Sequence, residues 1–316
     1  MDGFLLLRNI QVENANCIAG QTWGFPAISH FLGFTHALQR KLQQDADSKF
    51  HLELRGCAVI CHQLEPQTHQ ATTYAEHVFS LTRNPLTKDA KTASFVEEGR
   101  VNMKVSLLIG IDAFNFDEEN TAEFEQKVFK LAQTMRLAGG TINQISKARL
   151  VTLKDSQEEQ AKQVNIWMRT LLPGHTLVAR PQLLSNHSAQ FSESENPEFS
   201  AWLDNSTIHI NRQEGANSVE PKPYSGWIKP IVVGYRGISQ LYEAGEVAKS
   251  RDAQTPVRFV EYVYSLGEWL SPHRIQKLEQ ILWQYSDDKA QAEQGWYLCH
   301  NQYENFLTNT TDNEGI

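Results

Sequence analysis

Cysteine is scarce in this chain of 316 residues, which carries only four. So few thiols in so long a sequence do not make a disulfide scaffold. Long apolar runs are missing too, and no stretch approaches the roughly 20 apolar residues that a membrane span needs. The opening MDGFLLLRNIQ has an Asp in place of a basic n-region and an apolar run of only four residues, so it does not read as a signal peptide. A reduced, cytoplasmic setting without membrane contact is the expectation. There is no Walker A loop, H-E-x-x-H, G-x-S-x-G or Rossmann glycine signature. An excess of base is also lacking. The formal net charge is −8, which excludes a protein that coats nucleic acid by bulk charge but leaves room for a local site.

What is present is enough apolar material for a substantial core, 41% of residues, in one large domain or two joined ones. The charge is unevenly placed. Acid gathers at 112–125, at 193–220 and after 286, whereas 127–154 contains no Asp or Glu at all. Within that stretch Lys127, Lys130, Arg136, Lys147, Arg149 and Lys154 flank the segment MRLAGG, residues 135–140. A second basic region, 222–274, is interleaved with aromatics such as Trp227, Tyr235, Tyr262 and Trp269. Such a layout suits a protein that touches nucleic acid along a stripe and other proteins elsewhere.

Residues 4–12 alternate as a half-buried strand. TWGFP leads into a helix with Pro26 at its first position and Ile28, Phe31, Leu32, Thr35, Leu38 and Leu42 as its apolar stripe. Residues 50–64 read as a second strand whose apolar parity switches around Gly56, as a β-bulge produces. Residues 66–99 lack a core pattern and read as an inserted arm, with 77–82 paired to 92–97. A third strand covers 101–111. A second helix, with Asn120 and Glu123 as a capping pair, runs to the two glycines, and a fourth strand starts near Thr141. The order β-α-β-(arm)-β-α-β is that of the ferredoxin-like, or RRM-like, α+β unit, whose uncovered sheet face would present Asn9, Gln11, Asn102, Lys104 and Ser106. The expected organisation is a ferredoxin-like domain at 1–154, with the arm at 66–99, followed by a C-terminal α+β part at 155–316. In that part 157–172 and 273–285 read as helical, and 185–225 as loop or insertion.

Cys57, Cys61 and His62 invite a metal reading, but on one strand the two thiols would lie about 13 Å apart at roughly 3.3 Å per residue. Ligands about 2.3 Å from one zinc ion cannot be so far apart. Neither a metal nor another cofactor is expected. His30 and His36 lie off the stripe of the first helix and read as solvated rather than as general acid and base. MRLAGG can be a helix C-cap or a side-chain-free loop that receives phosphates, and the residues alone leave both open.

The segments N-A-N (14–16), TWGFP (22–26), F-L-G-F-T-H-A-L-Q-R (31–40), V-I-C-H (59–62), LTRNPL (81–86), VEEGR (96–100), VSLLIG (105–110), MRLAGG, RTLLPG (169–174), TPVRFVE (255–261) and GEWLSPHR (267–274) together resemble one family. That family is the second subunit of the type I-F CRISPR Csy surveillance complex, Cas-five-like members of the RAMP superfamily. The resemblance implies a non-catalytic subunit that binds the 5′ handle of the crRNA and forms a heterodimer with the large PAM-reading subunit. It would meet the backbone subunit through a thumb, for which 66–99 is the candidate, and reach target DNA only through the assembled complex. Carried over residue by residue, it implies RNA contacts at Arg83, Arg136, Gly139, Gly140, Arg236, Arg251 and Arg258, and weaker ones at Asn14, Asn16 and Trp23. MRLAGG then corresponds to the superfamily's glycine-rich loop. The alternative is a metal-independent crRNA-processing endoribonuclease of the same superfamily.

Overall fold

The computed structural model describes residues 1–44, 50, 52–80, 86–92, 99–112, 118–207, 209–213, 216–219, 227–250 and 252–311. Its frame is an 11-stranded sheet in which every neighbouring pair is antiparallel. Strand β1 (Gly3–Asn16) leads through a small hairpin, β2 (Ile18–Ala19) and β3 (Thr22–Trp23), to helix α1 (Ile28–Gln44). Next come β4 (Glu53–Pro66), the hairpin β5 (Thr68–Gln70) and β6 (His77–Phe79), then β7 (Arg100–Asp112) and α2 (Glu118–Gln133). The half closes with β8 (Arg136–Leu137), β9 (Gly140–Gln144) and β10 (Lys147–Thr152). In space β4, β7 and β1 lie side by side, and β9 and β10 both pair with the far edge of β1.

The alternation in these strands sorts their side chains onto two faces. Leu5, Leu7 and Ile10 of β1, Cys57 and Val59 of β4 and the odd-numbered apolar residues of β7 pack against α1 and α2. Each fully buried Phe or Leu on α1, such as Phe31 and Leu38, contributes about 1.5–3 kcal/mol of transfer free energy. The whole expected stripe of α1 is buried, together with Phe34. The helix starts at Ile28 rather than Pro26, because the chain first makes a tight turn in which the His30 amide donates to the Ala27 carbonyl at 3.0 Å. Asn120 lies inside the first turn of α2 rather than at its cap.

The second face is only half open. Phe4, Leu6, Ala58, Ile60 and Leu108 carry helix α3 (Gln157–Thr170) through Val164 and Met168, with Ile275, Leu278 and Ile281 beside it. The expectation of one uncovered face therefore holds only for the half beyond α3. Glu125 and Gln163 accept from the amides of Leu150 and Lys154, and Gln163 also donates to the Thr152 carbonyl. These bonds occupy backbone groups along β10, where another strand could otherwise pair.

The chain then adds β11 (His175–Ala179), α4 (Pro181–Ser188), α5 (Pro197–Ser206), the hairpin β12 (Ile210–Gln213) and β13 (Ala216–Val219), and the long strands β14 (Trp227–Gly237) and β15 (Val260–Leu270). It ends with β16 (Gln284–Tyr285), α6 (Lys289–Glu293), β17 (Trp296–His300) and α7 (Tyr303–Thr311). These strands extend the same sheet in the order β16–β17–β14–β15–β11, and β11 pairs with β4. Within 185–225, read as loop from its polar composition, the end of α4, α5 and the β12–β13 hairpin are formed. The Trp202 side chain of α5 anchors this part by donating to the buried Ser265 carbonyl. Residues 273–285 do not form the expected helix. Two short 3₁₀ turns lead into β16, and Ile275, Leu278, Ile281 and Trp283 are buried one after another in an irregular path. Arg180 ties the end of the chain to the core, pairing with Glu268 and, at 3.1 Å, with Glu304 on α7.

In the arm, His77–Phe79 pairs with Thr68–Gln70 across a six-residue connection. The expected pairing of 77–82 with 92–97 falls largely outside the described residues. Residues 81–85, including Arg83, and 93–98 lie outside the described residues.

Candidate nucleic-acid interface

MRLAGG is neither a helix cap nor a free loop. Helix α2 ends at Gln133, and Arg136 and Leu137 then pair with Thr141 and Gly140 as the two arms of a hairpin. The turn residues Ala138 and Gly139 have φ of +50° and +76°. Two consecutive positive φ values define the type I′ turn that matches strand twist. The tip is anchored by the Asn16 amide, which donates to the Ala138 carbonyl at 2.8 Å. Arg136 is exposed and folds its guanidinium back onto the Gly139 carbonyl at 3.2 Å.

The two glycines have different tasks. A Cβ on Gly139 would meet nothing within 4 Å, so this side of the turn is bare backbone open to a ligand. A Cβ on Gly140 would lie 2.6 Å from the Glu13 carbonyl oxygen and 2.8 Å from the Ala15 nitrogen. Gly140 is there so that β9 can close on β1.

The neighbouring stretch of β1 is itself irregular. The register against β7 slips between Val12 and Ala15, and Asn14 adopts φ +56°. Its amide donates to the Asn102 side-chain oxygen at 3.1 Å, its own side-chain oxygen accepts from Gln67 at 2.7 Å, and Arg100 donates to its carbonyl at 3.3 Å. Asn16 uses its amide group to close a local turn on Ile18, at 2.8 and 3.2 Å. Trp23, opposite Ile18 on the small hairpin, is 62% exposed and meets Phe79 of the arm edge to face at 5.5 Å. Asn14, Asn16, Trp23, Arg136 and Gly139 thus converge on one corner, at the root of the arm.

The open half of the second sheet face runs back from this corner. Gln11, Asn102 and Lys104 lie on it as expected, Gln11 and Gln63 both standing opposite Lys104. Arg8 faces Lys147 across β1 and β10 and donates to the Thr170 carbonyl at 2.8 Å. Two expectations for this face need correction. Ser106 is fully buried, and Asn9 sits at a second slip of β1 with φ +50°, its amide donating to the Ser106 hydroxyl. His62 covers that hydroxyl. It is the residue squeezed out of β4 by a register slip between Cys61 and Gln63, in addition to the expected bulge at Gly56. Its Nδ1 is 2.7 Å from the Pro173 carbonyl and its Nε2 2.7 Å from Ser106. The carbonyl can only accept, so Nδ1 carries the proton. Burial lowers the pKa of His62, and the cations Lys104 and Arg8 lower it further.

Arg236 and Arg258 lie elsewhere, in the β14–β15–β17 part. The guanidinium of Arg236 stands 4.9 Å over the Trp296 ring. Arg258 packs its stem on Gly237 and its head on Gly295, and its Nε is enclosed. Of the residues first assigned to RNA, Arg136, Gly139 and Gly140 lie together on the hairpin, Arg236 and Arg258 lie in the β14–β15–β17 part, and Arg83 and Arg251 lie outside the described residues. Residues missed by the sequence reading are Arg8, Arg100, Gln67 and His62. Only His62 left a trace: apolar parity shifts from Cys61 to Leu64, as it does at Gly56.

Desolvation pushes the Cys57 thiol up to about 12 and that of Cys61 to about 11, so both stay protonated at neutral pH. His30 is half-buried rather than solvated, with Nδ1 3.2 Å from the Ala27 carbonyl, and burial lowers its pKa. His36 is exposed. Among the described residues no group of three His, Cys, Asp or Glu side chains is arranged to hold a metal ion, and no helix is long and apolar enough to cross a membrane.

Residues 5–299 match the family model of the CRISPR-associated protein Csy2. The CRISPR-associated protein Csy2 of Pseudomonas aeruginosa (strain UCBPP-PA14) is 38% identical over an alignment 315 positions long that spans 94% of each chain.

Proposed function

The chain belongs to the Csy2 family, subunits of type I-F CRISPR Csy complexes, and from that premise we propose that it is a non-catalytic, cytoplasmic subunit which holds the 5′ handle of the crRNA. The observation that carries this reading is the corner made by the type I′ hairpin tip and the Asn14 slip. There Gly139 offers bare backbone, Arg136 offers an exposed cation, and Trp23 offers an exposed ring. Phosphate contacts need charge and unhindered amides, and unpaired bases need aromatic faces.

The strand order β10/β9–β1–β7–β4 with α1 and α2 on one face supports the ferredoxin-like reading of 1–154 and its RAMP affiliation. In this account 155–316 extends the sheet and presents its aromatic strands to the large PAM-reading subunit. The arm at 66–99 serves as the thumb towards the backbone subunit, its root held by Phe79, Ile18 and Gly99. DNA sequence would be read by guide pairing rather than by this chain.

The test is handle-RNA affinity of the chain assembled with its partner subunits, at several salt concentrations, with Arg136→Ala. Loss of one phosphate contact should weaken binding and reduce the log–log salt slope by about 0.7 for a single strand. A folded Arg136→Ala variant with unchanged affinity and slope removes that residue from the site.

A further inference from the structure

A large groove in the described structure extends beyond the hairpin corner and shares Trp23 with it. It has a volume of about 890 Å³ and runs between the TWGFP loop, the end of α5 and the strands β4, β11 and β14. Small-molecule pockets span roughly 300–1,000 Å³, so it holds more than one planar ring system. Four of the seven tryptophans of the chain line it: Trp23, Trp202, Trp227 and Trp269. Two of these are turned towards solvent, Trp23 at 62% and Trp227 at 52% exposure. Trp227 is supported from behind by Trp269 at 6.2 Å and by His175 at 5.4 Å, and Trp269 in turn by Phe25 at 4.9 Å.

Its charge separates it from the rest of the molecule. The chain has 37 Asp and Glu residues, yet none lines this groove among the described residues, whereas Lys229 does. An aromatic cleft whose described lining carries Lys229 and no carboxylate is matched to an anionic ligand with flat, π-rich parts. Its position adds a second argument. His62 and Gln63 form one wall, and Gln63 stands directly opposite Lys104 on the polar sheet face. Trp23 belongs to both the hairpin corner and the groove. Gln63 and Trp23 thus join the groove to Lys104 on the polar sheet face and to the hairpin corner.

We propose that this groove is a nucleobase site, in which unstacked bases of the single-stranded crRNA segment stack on Trp227 and Trp23 while Lys229 meets the adjoining phosphate. The inference rests on the handle-binding reading and adds to it where the bases go. Phosphates lie along the hairpin tip and Lys104, and bases turn into the cleft. Stacking on an aromatic ring tolerates any base, so the groove fixes the path of the strand rather than its sequence.

The experiment measures affinity of the assembled complex subunits containing the full chain for single-stranded handle RNA, intact and with one abasic nucleotide placed at each position in turn. Trp227→Ala should weaken intact RNA binding by roughly fivefold to a hundredfold, the range for losing one stacked base. At one abasic position the same substitution should cost nothing further, because the ring has lost its base already. Trp23→Ala, at the more exposed of the two rings, repeats the test should Trp227→Ala fail to fold, with thermal melting as the control. A folded Trp227→Ala with full RNA affinity, beside Arg136→Ala with reduced affinity, overturns the groove and leaves the handle reading standing. Unchanged affinity in both overturns both. Full RNA affinity with loss of a co-purifying protein subunit makes the groove a protein site and also overturns the proposal.

Discussion

Two corners of the molecule carry arginines beside aromatics and glycines, and they are built for different ends. At the hairpin corner Arg136 is exposed and bonded to its own turn, and Gly139 of that turn leaves the backbone bare. In the β14–β17 corner Arg236 lies on Trp296, and Arg258 is wedged between Gly237 and Gly295. The glycines there make room for an arginine stem, whereas Gly139 makes room for nothing among the described residues. Residue types alone do not distinguish a cation held for packing from one held for a ligand. What distinguishes them is whether its neighbours already occupy it.

The largest expected effect separates the two glycines of the hairpin. Gly140→Glu should destabilise the protein by about 3 kcal/mol or more, because the added side chain runs into the backbone of Glu13 and Ala15, which cannot swing aside. Melting should show the loss with or without RNA. Gly139→Asp should stay folded, since Asp tolerates positive φ better than other side chains, yet weaken RNA binding through its charge. Gly139→Asn, with the same shape and no charge, should bind far better than Gly139→Asp. Equal binding by the two would mean that no phosphate approaches the tip.

Next in size is the stem of Arg258. Arg258→Ala should cost about 1–3 kcal/mol of stability through lost packing, while Arg136→Ala stays within about 0.5 kcal/mol of the parent. If Arg258→Ala melts like the parent but releases RNA, the contrast between the corners fails. The smallest effect belongs to His62. Burial and nearby cations depress its pKa in the folded state, so the unfolded chain takes up the proton first as pH falls below the ordinary value near 6.5. Its stabilising contribution is complete above that pH and declines below it. His62→Gln should flatten this part of the stability–pH curve, measured by denaturant unfolding at pH 5 to 8. His30 contributes a slope of the same sign, so it remains in both proteins.

Alternation and helical spacing made the central strands, α1 and the Gly56 bulge legible in the sequence, because each element carries its own apolar pattern. Irregular positions were harder to see. The slips at Asn9, Asn14 and His62 depend on cross-strand register, which one strand read alone does not contain. LAGG was read as the end of a helix because the apolar face of α2 runs into Met135. Yet the chain leaves the helix at Gln133, and Met135 is buried from an irregular turn. Arg8 joins the candidate site only when β1 and β10 are set side by side. The buried, non-periodic path of 273–285 has no local signal at all, since its apolar residues answer to surfaces contributed by α3 and β4.

The most direct test of the central claim is the salt dependence of handle-RNA affinity for the assembled subunits bearing Gly139→Asp, read beside Gly139→Asn and with melting curves for both. The account predicts two folded proteins, with the Asp variant binding more weakly and losing about 0.7 from the log–log salt slope for the phosphate displaced. Two folded variants with the affinity and slope of the parent would contradict it, and the hairpin tip would then be a turn and nothing more.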